Sequence, residues 1–142
     1  PEVVYQSWRG ATNGVNNAIA WDIPVPDGSY IVRLHFADPS LSAANQRLFD
    51  VRLQGALAEA NVDVAGQSGG IRKALVKQYV VNAAGSSGID LELVNKTTNA
   101  AFINGIEILR ANPNGVAAPT VDLAVSTDSG ATWSPIASGL AV

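Results

Sequence analysis

The chain has 142 residues, 47% of them apolar and 15% charged, with a net charge of −3 and no cysteine. That apolar share excludes a disordered chain, and the length suits about one domain able to bury its own core. The missing thiols rule out disulfides, thiolate metal sites and a cysteine nucleophile, and three lysines and six arginines spread along the chain leave no footprint for nucleic acid.

No apolar run approaches the roughly 18–20 residues of a membrane span, and the start carries no signal-peptide pattern, so membrane insertion is not expected. Without methionine and opening at Pro1, the chain reads as a piece of something longer. Near the start, Trp8 and Arg9 pair an aromatic face with a guanidinium, a combination suited to stacking on a sugar ring and donating to its hydroxyls. The alternative is a rim tryptophan with Arg9 paired to a carboxylate such as Asp50. Trp21 begins a strand and is expected in the core.

Pro26-Asp27-Gly28-Ser29 forms a turn, after which Tyr30, Val32, Leu34 and Phe36 alternate with Ile31, Arg33, His35 and Ala37 across a strand. Gln54 to Ala60 carries both helical and sheet preferences and reads as a short strand or a single turn. Ala74 to Val81 is a strand introduced by Gly69-Gly70. Ile89, Leu91 and Leu93 alternate with Asp90 and Glu92 behind the Gly85-Ser86-Ser87-Gly88 turn, and Ile106 and Ile108 close a further strand. Short strands with turn signals every roughly 8–12 residues argue for an all-β sandwich or barrel.

A Pro- and Gly-rich stretch follows Arg110, dividing the chain into a β body over 1–110, a linker over 111–120 and a partial β unit over 121–142. Val121, Leu123 and Val125 alternate as a strand. Ser126-Thr127-Asp128-Ser129-Gly130-Ala131-Thr132-Trp133 then has the form of an Asp-box hairpin turn.

Tyr5-Gln6-Ser7-Trp8-Arg9-Gly10, the run from Trp21 to Asp38, Gln46 to Val51, Val62 to Gly66 and Ile103 to Ile108 together resemble the malectin family over roughly Val3 to Leu109. The resemblance implies a jelly-roll β-sandwich, followed here by the short C-terminal hairpin segment. It also implies one or two strands ahead of Pro1, and hence an open sheet edge. Family members are best known as non-catalytic carbohydrate-binding modules. Where animal malectin sets aromatic rings around a disaccharide, this chain has Gly10, Ser40 and Leu41, and an acidic position falls on Asn99. The resemblance thus implies a site at Trp8, Arg9, Ser40, Leu41 and Asn99, with no cofactor and no catalytic or metal residue.

The chemistry-bearing residues agree. His35 is the only histidine and meets no ligand spacing or Gly-x-Ser-x-Gly elbow, while Asp50 and Asp63 read as acceptors anchoring loops. Asn95-Lys96-Thr97 has the form of a glycosylation sequon. Two functions are expected from this reading. One is an extracellular or cell-surface module binding an oligosaccharide. The other is a structural link that assembles with neighbouring β-domains or with itself, Val121 to Val125 adding to an exposed sheet edge.

Overall fold

The computed structural model describes residues 2–111, 120–125 and 134–141. A 3-10 turn (Glu2–Gln6) leads into β1 (Arg9–Gly10), β2 (Ala18–Ile23), β3 (Gly28–Phe36), β4 (Phe49–Leu53) and β5 (Ala56–Val62). A single helical turn, α1 (Val64–Ser68), precedes β6 (Leu75–Ala83), β7 (Ile89–Asn95), β8 (Phe102–Ile103) and β9 (Gly105–Arg110). Two antiparallel sheets carry the fold, one ordered β2-β7-β4-β5 and the other β6-β3-β9, and a small ribbon joins β1 to β8.

Alternation explains why these segments are strands. On β3 the residues Tyr30, Val32, Leu34 and Phe36 are all buried, and they share one core with Phe49 and Val51 of β4 and Leu91 and Leu93 of β7. Each such side chain taken fully out of water is worth about 1.5–3 kcal/mol, so a register slip of one residue on β3 would forfeit the whole set. Ile31 departs from the pattern: it points to the other face, where Val80 and Leu109 are its cross-strand partners, and it too is buried.

One expectation needs correction, and two others hold with added detail. Trp21 is the fourth residue of β2 and only half-buried, because β2 is the outer strand of its sheet and packs the indole at the margin of the core. Gln54 to Ala60 is a turn followed by a strand. Gln54 (φ 52°) and Gly55 (φ 73°) make the tight reversal, and β5 then pairs with β4 through two register shifts. Tertiary pairing overrides the helical preference of its alanines and Leu57. Asp63 anchors a loop, as read, but does so by capping α1: it accepts from the Gly66 and Asn45 N–H groups at 3.0 and 2.6 Å, while Gly69 ends the turn with φ 80°.

The C-terminal strands β10 (Thr120–Val125) and β11 (Ser134–Ala141) pair antiparallel with each other, so Val121 to Val125 has a partner within its own chain. The Asp-box octapeptide and most of the 111–120 linker lie outside the described residues.

Candidate functional site

The loops at one end of the two sheets meet around Phe102. Its ring lies edge-on to Phe36, with 6.2 Å between centroids, and Phe36 in turn packs 5.5 Å from Phe49, so a row of aromatic rings runs outward from the core. Trp8 continues the row, edge-on to Phe102 at 6.4 Å, and is 58% exposed. Gly10 makes this possible. A Cβ there would sit 2.8 Å from the Ala101 carbonyl oxygen and 3.2 Å from the Trp8 ring, closer than either can tolerate without moving.

The Arg47 guanidinium covers the Phe102 face, 4.8 Å from the ring centroid. It is held from three directions. Its Nε donates to Asp38 Oδ2 at 2.9 Å, Nη1 donates to the Ala100 carbonyl, and Nη2 reaches Ser40 Oγ at 3.4 Å. Asp38 is fully buried, and its other oxygen accepts from the backbone N–H groups of Ser40 and Leu41 at 3.0 and 2.8 Å. A buried carboxylate needs such a set of donors, and here the set also fixes the loop after β3.

Asn95 does the same work for the opposite loops. It is fully buried, donates to the Thr12 and Gly14 carbonyls at 2.9 and 2.8 Å, and accepts from the Ala101 N–H at 2.7 Å. The sequon is therefore closed: its asparagine amide is occupied and out of reach of solvent.

These loops form a cleft of about 360 Å³ lined by Trp8 and Phe102 together with Asn13, Ser40 and Asn99. The structure thus brings together Trp8, Ser40 and Asn99 from the residues the sequence points to. Leu41 contributes its backbone to Asp38 rather than its side chain to the wall. Arg9 faces a second cleft of about 300 Å³, together with Trp21, Ser7 and Asn104. Arg9 does not pair with Asp50, which instead accepts from the Asn61 N–H at 3.0 Å and faces Lys96 Nζ at 3.6 Å. Arg47, Asn13 and Phe102 were not singled out from sequence. The Gln46-Arg47 step inside a matched motif was the available signal.

Among the described residues no three His, Cys, Asp or Glu side chains cluster as a metal site. His35 lies elsewhere, its Nδ1 3.1 Å from the Tyr5 hydroxyl and its Nε2 facing Glu107 at 3.5 Å, which tethers the N-terminal turn to β3 and β9. Asn99 already donates to the Gln46 carbonyl at 2.7 Å. The cleft therefore offers an exposed ring, an amide oxygen and short polar side chains around a neutralised cation, a surface suited to an uncharged polyhydroxylated ligand.

The family model for the malectin domain matches residues 3–113. A probable receptor-like protein kinase of Arabidopsis thaliana is 35% identical over 147 aligned positions, covering 91% of this chain and 18% of that protein. The crystal structure of the plant receptor-like kinase ANX1 superposes with a TM-score of 0.67 at 25% identity, covering 81% of this chain and 34% of that one. A chain from the crystal structure of the plant peptide RALF23 in complex with FER and LLG2 gives 0.65 at 27% identity, with 79% and 33% coverage. This chain accordingly spans about a fifth of the curated relative and a third of the solved chains.

Proposed function

The chain belongs to the malectin domain family, and from that premise we propose that it is a non-catalytic carbohydrate-binding module of a larger extracellular or cell-surface protein. The family match concerns the malectin domain alone, and relatives solved as extracellular domains support the placement outside the cell. On this reading the two antiparallel sheets form a jelly-roll sandwich within 1–110, and β10 with β11 make a separate short β unit.

The observation that carries the reading is an exposed Trp8 ring lining the same cleft as Asn13, Ser40 and Asn99. A sugar's C–H face stacks on the indole while its hydroxyls meet the amide and hydroxyl groups opposite. Arg47 contributes by holding both loops in place, with its charge compensated by Asp38.

Titration of the isotope-labelled protein with gluco- and galacto-oligosaccharides, followed by NMR, tests this. Saturable shifts at Trp8, Asn13 and Asn99 that vanish in Trp8→Ala are expected. A flat response across the panel refutes sugar binding and favours the second reading, a surface that assembles with neighbouring protein domains. One specific observation supports that alternative: a similar chain was solved in complex with a peptide and a protein partner.

A further inference from the structure

Among the described residues, Trp8 is the one that lines both clefts, the second being the smaller and shallower of the two. The cross-strand pairs of the short ribbon, Arg9 with Ile103 and Gly10 with Phe102, place Arg9 and Phe102 on opposite faces, since side chains alternate along a strand. The Phe102 face forms the first cleft and the Arg9 face the second, with Trp8 at the end where the two meet.

The second cleft presents a second indole, Trp21, half-buried at the outer strand β2. Its polar inventory is short and can be read atom by atom. Asn104 is engaged at both ends: Oδ1 accepts from the Ala37 N–H at 2.7 Å and Nδ2 donates to the Ser7 carbonyl at 2.8 Å, fixing the segment that carries Trp8. Arg9 has no side-chain hydrogen bond or ion pair among the described residues, and it is exposed. Its five N–H donors, the Ser7 hydroxyl and the indole N–H groups are thus the donors this cleft has for a ligand.

From two clefts sharing one tryptophan, the second with its own indole and an exposed guanidinium, we infer that the second cleft is an additional sugar subsite and that the ligand is an oligosaccharide passing over Trp8. This rests on the carbohydrate-binding reading above. A disaccharide fills the first cleft alone, and a longer chain continues onto Trp21 and Arg9, where one more stacked ring and its hydroxyl contacts add affinity.

The test compares a disaccharide with a hexasaccharide of the same glucose polymer, on the intact chain and on Arg9→Gln and Trp21→Phe. The hexasaccharide is expected to bind about tenfold more tightly, the scale of one added aromatic contact with its hydrogen bonds. It should shift the Trp21 indole N–H and Arg9 Nε–H resonances, which the disaccharide leaves in place. Either substitution should bring the hexasaccharide down to the affinity of the disaccharide. Equal affinities for the two sugars, or a length gain that survives both substitutions, overturn the inference while leaving the carbohydrate-binding reading intact. A folded protein that binds neither sugar overturns both.

Discussion

Asp38 and Trp8 belong to the same end of the molecule, yet Asp38 is completely buried and Trp8 is 58% exposed. Between them, Arg47 and Phe102 join the closed part to the open part. On the Asp38 side every polar atom has a partner, and removing one strands the others. On the Trp8 side the ring meets Phe102 in a T-shaped contact and leaves most of its surface to solvent. Stability and recognition are thereby divided over a few residues: the floor of the cleft holds the loops, and the wall meets whatever enters.

The largest expected effect would fall on the floor. Asp38→Ala removes the acceptor for two backbone N–H groups and leaves Arg47 without its counter-charge, so a loss of about 3–5 kcal/mol in urea denaturation is expected. A loss below about 1 kcal/mol would break the division, since the pair would then be ornamental. Asn95→Ala should follow at about 2–3 kcal/mol, because the Thr12 carbonyl and Ala101 N–H lose their side-chain partner and the Gly14 carbonyl loses one of two.

Tyr79, on β6, sharpens the contrast with a half-buried polar contact outside these two clefts. Its hydroxyl donates to Glu59 Oε2 at 2.7 Å, and Lys77 Nζ meets Oε1 of the same carboxylate at 2.7 Å. Burial foremost, then the hydrogen bond to Glu59 and its charge, push the phenol well above its ordinary value of 10.0. The folded protein thus keeps a proton that the unfolded chain releases. The contribution is intact below about pH 10 and is lost as pH rises further. Tyr79→Phe should cost about 1 kcal/mol at neutral pH and flatten the decline in stability above about pH 10, measured by denaturation across that range. The smallest stability effect belongs to the wall. Trp8→Ala should change unfolding by no more than about 0.5 kcal/mol while abolishing the NMR response to sugar.

Much of the fold could be read from the chain because β3, β6 and β7 each bury alternate residues, and a buried face imposes period two on the sequence. The Gln54 to Ala60 segment resisted because an outer strand with two register shifts has little buried face to impose a pattern. Trp21 misled for a related reason, since a large apolar residue on an outer strand meets neighbours on one side only. At the site, Trp8, Ser40 and Asn99 could be found because the malectin resemblance aligns its loops with theirs. Arg47 escaped notice because its role comes from partners 9 and 53 residues away. The second cleft joins residues near 8, 21 and 104, a proximity created only when the ribbon and β2 come together.

The shifted pairing of β5 has a bearing on crowding. A flat outer strand of Ala, Leu and Val is a template on which further copies can stack, whereas a strand bent by two irregularities offers donors and acceptors out of step with any straight neighbour. β6, the outer strand of the other sheet, pairs with β3 without a break over nine residues and leaves Val76 and Val80 exposed. At high concentration, fibril growth should therefore begin along β6 and not along β5, and a single lysine at Val80 would be the place to stop it.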